Sequence, residues 1–343
     1  MADKSVKKDT QMAETLNNSA DKQASEDAKL IRVSYIVDQQ DGPYYTIQSA
    51  INDAKPNCTI KITTGLYKEN LVIKTNFLKI ESKDFNPEVY IMGNKGPALT
   101  IDIPEGGNCL IQNLKFVHKG GAPRLKTKNN QGNFDLIGLD GINRMEHIIQ
   151  RLEYYHKSFE SVMFSNKVDS IIYVKSGGII LRNCLLSLSF VMKCNQDVIP
   201  LILINEGTSN MIANCQLKGN NNFPTMGIVV KKANCIIKET EVSDFSKGGI
   251  LMWLEDPNSS KIFTSKVENC KQVGIQIIGS CQSPLIEYCT VQNNPAPGIQ
   301  ICTGSSCQVR KSTICNNHDG IDIISADPII FKNNISRNNH NGI

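Results

Sequence analysis

The chain has 343 residues, with 37 basic and 33 acidic side chains, a formal net charge of +4 and 6% aromatic residues. This mild balance, with no basic stripe interleaved with aromatic residues, excludes an electrostatic nucleic-acid footprint. No apolar run approaches the length of a membrane span, and no signal-peptide core follows the charged residues 1–8, so the sequence predicts a cytoplasmic protein with reduced thiols and no membrane partner.

Residues 1–30 are polar and charged, with almost no large apolar side chains. Such a segment cannot bury enough surface to offset the entropy lost on ordering, so a disordered tail is predicted. The remaining residues, 31–343, are predicted to form one domain that is interrupted by an insertion at 119–169.

The ordered part is predicted to open with a strand at 31–37 and a short helix at 45–54. Thr46 is placed to cap the helix N-terminus, and the helix is predicted to bury one apolar face formed by Ile47, Ala50, Ile51 and Ala54. A strand at 59–62 and a turn at Gly65 follow.

This opening resembles a known superfamily. The phrases that carry the resemblance are Thr46-Ile-Gln-Ser-Ala-Ile51, Ile60-Lys-Ile62, Gly65-Leu-Tyr-Lys-Glu69 and Val72-Ile73. They look like the start of the pectin-lyase-like superfamily, as in pectin methylesterases, in which a short helix caps the first coil of a β-helix. The resemblance implies the fold and says little about activity.

The next strands resemble the repeats of intracellular eukaryotic β-helix proteins. They are Phe77-Leu-Lys-Ile80, Pro87-Glu-Val-Tyr-Ile91, Ala98-Leu-Thr-Ile-Asp102 and Asn108-Cys-Leu-Ile-Gln-Asn-Leu-Lys-Phe116. That group includes an F-box protein of ubiquitin ligation and a protein that binds the SH2 domain of the Shc adaptor, which implies use as an interaction surface. The chain shows no F-box before these repeats and no zinc-finger cysteine pattern after them.

The repeat is interrupted at 119–169. Residues 120–141 are basic and rich in Gly and Asn, which predicts a surface loop. Residues 143–164 have helical spacing, with Asn143 as a possible cap and an apolar stripe of Met145, Ile148, Ile149, Leu152, Tyr155 and Phe159. Insertions between coils map to one face of a solenoid, often the binding face. The alternative is a helix that packs over the flank of the β-helix, and both can hold.

Strands resume at 170–174, 200–204 and 227–230, and a glycine-led phrase then repeats to the C-terminus. Its copies are Gly249-Ile-Leu-Met-Trp253, Gly274-Ile-Gln-Ile-Ile278, Gly298-Ile-Gln-Ile-Cys302, Gly320-Ile-Asp-Ile-Ile324 and Gly342-Ile343, at offsets of 25, 24, 22 and 22 residues. A period of this size marks a solenoid, and the leucine-rich-repeat frame is missing. The sequence predicts an all-β, right-handed, single-stranded parallel β-helix of nine or ten coils.

Asparagine pairs mark the corners of the last coils, at 293–294, 316–317 and 338–339. Asparagine tolerates left-handed backbone angles, and stacked asparagines can bond along a column, so a ladder is predicted. The alternative is that these are unconnected loop asparagines.

The chain ends two residues into a further coil, from which we expect either a longer natural chain or a partner that covers the end.

Twelve cysteines recur at fixed places in the coils. Three of them each follow the second strand of a coil, namely Cys184, Cys215 and Cys289. Three others each precede a second strand, namely Cys235, Cys281 and Cys307. Free cysteine behaves as a small hydrophobe, so these are predicted to stack inside the β-helix. Metal binding would require paired C-x-x-C spacing, which is missing.

No constellation of catalytic residues is found in the sequence. The aspartate, glutamine and arginine motifs of pectin methylesterases and the N-T-D, D-D, G-H-G and R-I-K motifs of polygalacturonases do not occur. Asp319 and Asp322, beside His318, are the nearest pair of carboxylates, but they occupy the repeat slots held by Pro297 and Gln300 in the preceding coil. The five histidines show no metal-ligand spacing. We therefore assign no catalytic, cofactor or metal residue from the sequence.

Two functions fit these observations. The first is a non-enzymatic intracellular scaffold or adaptor that binds another protein through the insertion 119–169 or a β-helix face, for example in a cytoskeletal or ciliary assembly. The second is a carbohydrate-binding or polysaccharide-active β-helix, which predicts a groove of exposed aromatics with paired carboxylates. The low aromatic content and the lone Trp253, which is expected in the core, favour the first.

Overall fold

The computed structural model of the chain describes residues 33–84, 88–93, 96–118, 170–188, 198–205, 207–255, 257–281, 284–302 and 304–343. The predicted tail at 1–30 and the predicted loop and helix of the insertion 119–169 lie outside these ranges. Within them the chain forms thirty strands in three parallel sheets and a single α-helix. No helix of this part of the chain is long and apolar enough to span a bilayer.

The three sheets run the length of the molecule, and each is a stack of parallel strands. Sheet 1 has eleven strands, which are β1 Val33–Val37, β2 Cys58–Ile62, β5 Leu78–Ser82, β8 Asn108–Gln112, β11 Gly178–Arg182, β14 Gly207–Ala213, β17 Ala233–Lys238, β20 Lys261–Phe263, β23 Leu285–Glu287, β26 Gln308–Arg310 and β29 Ile329–Phe331. Sheet 2 has ten, which are β3 Gly65–Tyr67, β6 Val89–Gly93, β9 Lys115–His118, β12 Leu185–Leu188, β15 Gln216–Lys218, β18 Glu241–Ser243, β21 Lys266–Glu268, β24 Thr290–Gln292, β27 Thr313–Cys315 and β30 Asn334–Ser336. Sheet 3 has nine, which are β4 Leu71–Ile73, β7 Leu99–Asp102, β10 Ile172–Ser176, β13 Ile199–Ile204, β16 Thr225–Lys231, β19 Ile250–Trp253, β22 Ile275–Ile278, β25 Ile299–Cys302 and β28 Ile321–Ile324.

Each coil gives one strand to sheet 3, then one to sheet 1 and one to sheet 2. The coil that begins with β19, for example, continues with β20 and β21, and each of these pairs in parallel with the corresponding strand of the next coil. The chain therefore winds into a parallel β-helix with about ten coils, as the sequence predicts.

A short helix, α1 Ile47–Asp53, lies at the first coil. Its N-cap is Thr46, whose hydroxyl accepts a hydrogen bond from the Ser49 amide, as predicted. The carboxylate of Glu69 also accepts hydrogen bonds from the amides of Ile47 and Gln48, both at 2.9 Å, so an anion sits at the positive end of the helix. One detail of the opening is wrong, because Gly65 begins strand β3 instead of forming a turn.

The interior is filled by aliphatic side chains that stack from coil to coil. In sheet 3 the residue after each repeat glycine points inward, and strand pairing aligns these side chains in one column, Ile228, Ile250, Ile275, Ile299 and Ile321. All five are at most 1% exposed. No coil could bury this surface alone, so stacking supplies the core.

The predicted asparagine ladder is present and buried. Asn317 accepts hydrogen bonds from the backbone and side-chain nitrogens of Asn294 at 3.1 and 2.8 Å, and its own backbone N–H donates to Asn338 at 3.0 Å. The third step differs from the prediction by one residue. Asn338 takes the ladder position, and Arg337 takes the left-handed position (φ 55°) that Asn293 and Asn316 hold in earlier coils. The reason is that the segment between β28 and β29, residues 325–328, is one residue shorter than the segment between β25 and β26.

The predicted stacking of cysteines inside the β-helix is confirmed. Eleven cysteines lie in the described ranges, none of these is in a disulfide, and all but Cys315 are buried. Burial raises the pKa of the Cys235 and Cys270 thiols to about 12. The thiolate is the reactive form, so Cys235 and Cys270 are inert packing groups.

We expect iodoacetamide at about pH 8 to alkylate Cys315 while the buried thiols of the described coils stay unmodified, because reagent reaches only an exposed thiolate. Peptide mass spectrometry of the folded protein measures this, and the chain unfolded in guanidinium, in which all cysteines should react, is the control. Rapid modification of Cys235 in the folded protein would show that the interior is not packed as described.

Candidate functional site

The three outer faces differ in chemistry. Sheet 2 presents a polar row that strand pairing aligns from coil to coil as Gln216, Glu241, Lys266, Thr290, Thr313 and Asn334. Sheet 1 presents a mixture, since half-buried aliphatics such as Leu110, Ile180 and Met211 stand beside charged residues such as Arg182. A polar outer face is the ordinary state of a solvated sheet.

Sheet 3 breaks that pattern in its middle. The outward row aligned by pairing is apolar over four consecutive coils, with Tyr173, Leu203, Val229 and Leu251. It then becomes polar, with Gln276, Gln300 and Asp322. These three are linked by side-chain hydrogen bonds, from Gln276 to Gln300 at 2.7 Å and from Gln300 to Asp322 at 2.9 Å.

The apolar side chains form a cluster separate from the interior core. We call it the central patch, and it consists of Tyr173, Val198, Leu203, Met226, Val229, Leu251, Trp253 and Ile278. Although they point away from the interior, Leu203, Val229 and Leu251 are only 7%, 0% and 1% exposed. Outward-facing apolar side chains with so little exposure must have other groups of the chain packed against them.

Trp253 belongs to this patch and not to the interior, contrary to the prediction. It packs at the edge of the central patch, where the Lys232 ammonium lies 4.9 Å from the centre of its ring. Lys232 also pairs with Glu255 at 2.9 Å. A half-buried indole with cationic neighbours marks the rim of the patch.

The central patch lies on strands that follow two segments outside the described ranges. Residues 119–169 connect β9 to β10 and residues 189–197 connect β12 to β13, and β10 and β13 carry Tyr173 and Leu203. Among the described elements, β16 packs mainly against β13, β17 and β19, which all belong to the coil stack itself. The apolar row therefore begins at the two strands that follow these segments, β10 and β13, and extends over two further coils.

Carboxylates on the outer faces are engaged by neighbouring side chains. A hydrogen bond from Lys175 holds the pKa of Asp102 below its ordinary value, and one from Lys115 does the same for Glu88. Burial opposes ionisation of Glu268, but hydrogen bonds from Lys266 and Gln292 outweigh it, so its pKa is also lowered. Asp322 lies opposite Gln300, in the slot predicted for it. The lowered pKa of Asp102, Glu88 and Glu268 favours the ionised form of each of these three groups.

Asp319 bridges two imidazoles. Its carboxylate lies 2.8 Å from His318 Nδ1 and 2.9 Å from His340 Nδ1, and the two rings stack with centroids 5.3 Å apart. Burial raises the pKa of Asp319, but the hydrogen bonds from both rings outweigh this effect and leave it lowered. The sequence reasoning placed His318 beside Asp319 but missed His340. The available signal was the phrase Asn-Asn-His, which recurs 22 residues later, one coil along the chain.

Comparison with known proteins agrees with this architecture. A family model described as "Right handed beta helix region" matches residues 200–343. The chain is a right-handed parallel β-helix with the pectin-lyase-like fold. A polygalacturonase from Erwinia carotovora ssp. carotovora superposes on this β-helix with a TM-score of 0.53 and 9% identity, over 88% of this chain and 81% of the other.

Two further solved structures resemble the β-helix. Pectin methylesterase PemA from Erwinia chrysanthemi has a TM-score of 0.41 and 12% identity, over 91% of this chain and 92% of the other. An exopolygalacturonase from Thermotoga maritima has a TM-score of 0.42 and 12% identity, over 89% and 80%. A search of curated proteins finds no match. At such identities the likeness concerns the fold alone, because one fold hosts many unrelated functions.

Proposed function

We propose that this β-helix is a non-enzymatic scaffold that binds another protein, and that the insertion 119–169, seated on the central patch, forms the contact surface. The observation that carries the proposal is the burial of Leu203, Val229 and Leu251 on an outward face. The apolar stripe predicted from Met145 to Phe159 matches this patch in character. Seating the stripe there would leave the polar side of the insertion free to face a partner.

The outer faces support binding better than glycoside cleavage. Glycosidases of the usual two-carboxylate type need one carboxyl group with a raised pKa to protonate the leaving group. Each described carboxyl group with a shifted pKa has it lowered instead, by neighbouring cations, amides or hydroxyls, namely Glu88, Asp102, Glu268 and Asp319. The apolar centre of sheet 3 also lacks the polar groups that a sugar ring requires. The same proposal places the protein in the cytoplasm, as an adaptor or as part of a cytoskeletal or ciliary assembly.

A double-mutant cycle tests whether the insertion 119–169 packs on the central patch. We expect Leu251→Ala to lower the free energy of unfolding by about 2 kcal/mol in the full chain, as for a buried leucine, although the side chain faces outward. In a chain carrying Ile148→Asp and Leu152→Asp, whose stripe can no longer pack, the same change should cost less than about 0.5 kcal/mol. Urea denaturation of the four proteins gives the coupling.

Thr290→Ala, on the polar row of sheet 2, is the matched control and should be insensitive to the stripe. Equal costs of Leu251→Ala with and without the stripe would show that something other than the insertion covers the patch.

Partner binding is tested by quantitative affinity purification of the wild-type chain, a chain lacking residues 120–165, and Thr290→Ala. The proposal expects at least one protein to be enriched with wild type and Thr290→Ala, lost with the deletion, and bound directly once purified. An activity on uronic-acid polymers that Asp322→Asn abolishes would overturn the scaffold role, even if the patch proved to be covered by the insertion.

A further inference from the structure

The cluster His318, Asp319 and His340 lies away from the central patch, at the corner between sheets 2 and 3 in the last two coils. Its three side chains offer two nitrogens and a carboxylate oxygen within 4.8 Å of one another. Asp319 is 7% exposed, while the side chain of His340 is 58% exposed. The carboxylate is therefore fixed inside the corner and the second imidazole closes it from the solvent side.

The geometry points to a site for a divalent transition-metal ion, held by His318, His340 and Asp319 and typified by Zn²⁺. Zinc bonds to imidazole nitrogen and carboxylate oxygen at about 2.0 to 2.2 Å. In the tetrahedral geometry that zinc favours, neighbouring ligand atoms are about 3.3 Å apart. The two Nδ1 atoms lie 2.8 and 2.9 Å from the carboxylate oxygens, so the three groups already converge, and a shift of about 0.5 Å at each ring would admit the ion.

The donor set indicates which ions fit. Two imidazoles with one carboxylate suit zinc, iron, nickel or copper, whereas calcium and magnesium prefer oxygen ligands only. Three protein ligands leave at least one position for water or for a side chain of another molecule. Binding would replace the protons now shared between each ring and Asp319.

Contacts with Asn341 hold the ligand groups in place, and an ion would displace the one that its side chain makes with His340 Nδ1. The Asn341 backbone N–H donates to Asp319 Oδ1 at 3.2 Å, and the Asn341 side-chain amide lies 2.7 Å from His340 Nδ1. The neighbouring residue Asn317 is locked in the buried ladder. The rigid element is thus the corner of one coil, and His340 comes from the next, so a bound ion would add a link between two coils that already meet through backbone pairing, side-chain stacking and the Asn317–Asn338 hydrogen bonds.

The test is a titration of the chelator-treated full chain with Zn²⁺ by isothermal calorimetry, and with Co²⁺ by visible absorption. We expect one ion per chain and little response to Mg²⁺ or Ca²⁺. His340→Gln changes an exposed side chain and should leave the fold intact, yet weaken Zn²⁺ binding at least about tenfold. Asp322→Asn, in the same coil but hydrogen-bonded to Gln300, is the matched control and should bind like wild type.

A second measurement separates this site from loose binding to surface histidines. Zn²⁺ should raise the melting temperature of the wild-type chain and of Asp322→Asn, but not that of His340→Gln, because only an ion that joins two coils of the folded state adds stability. Absence of stoichiometric binding, or tight binding that survives the double change His318→Gln and His340→Gln, would overturn the proposal and mark the cluster as a hydrogen-bonded corner.

Discussion

Gly274→Ala is expected to destabilise the protein by about 3 kcal/mol, although the change adds a single methyl group. A Cβ at this position would lie 2.6 Å from the carbonyl oxygen of Gly298 in the next coil and 2.9 Å from Val291 Cγ1. That carbonyl cannot move aside freely, because it accepts the ladder hydrogen bond from the Ile275 amide at 2.9 Å. Relief of the clash therefore means separating two coils.

The repeat supplies its own control. Gly342 opens the last copy of the phrase, and the nearest atom to a Cβ there is Ile335 Cγ2 at 3.7 Å, an ordinary contact. Gly342→Ala should be neutral or stabilising by up to about 0.5 kcal/mol, since alanine lowers the entropy of the unfolded chain. Urea denaturation of both variants measures the difference. A cost for Gly274→Ala no larger than that for Gly342→Ala would mean that the glycines are not spacers between coils.

This steric role explains why the fold could be predicted from the sequence. Each repeat glycine that is followed by another coil faces the backbone of that coil, as Gly249 faces the carbonyl of Gly274, so glycine is required once per turn. The isoleucine that follows must point inward because strand residues alternate. Two local requirements at a constant period are enough to specify parallel stacking.

The central patch could not be predicted in the same way. Alternation identifies Leu203, Val229 and Leu251 as outward-facing, and outward residues on a solenoid are expected to be exposed. Their burial depends on what lies above the sheet, which no local pattern encodes. Trp253 was expected in the core for the same reason, since an indole is assigned to the interior by its size unless the covering layer is known.

The His318, Asp319 and His340 cluster shows a second limit. Corner residues follow no strict period, because the corner after Asn317 is one residue shorter than the one after Asn338. The repeated Asn-Asn-His phrase is visible in the sequence, but which side chains meet depends on how each corner absorbs that difference. Spacing rules written for helices, such as H-x-x-H, do not detect ligands that lie one coil apart.

Asn317→Ala should be the most damaging single change in the last coils, with an expected loss of about 4 kcal/mol. The side chain is fully buried, and its oxygen accepts from two nitrogens of Asn294. Its nitrogen donates to the Val291 carbonyl at 3.0 Å and lies 3.3 Å from the oxygen of Asn338. Alanine would leave the Asn294 amide without an acceptor inside the stack, where water cannot replace it.

Asn339, which follows the ladder residue Asn338, provides the control for Asn317→Ala. The side chain of Asn339 is exposed, and the bond of this residue to the preceding coil runs from its backbone N–H to the Asn317 carbonyl. Asn339→Ala keeps that bond, so the change should alter stability by less than about 0.5 kcal/mol. Thermal and urea unfolding, followed by circular dichroism, measure both variants. Asn317→Ala should also speed hydrogen exchange at the amides of Cys270 and Asn294, whose hydrogen bonds run through the same column. If both variants unfold alike, the asparagines are loop residues without a shared ladder, and their recurrence reflects only their tolerance of left-handed backbone angles.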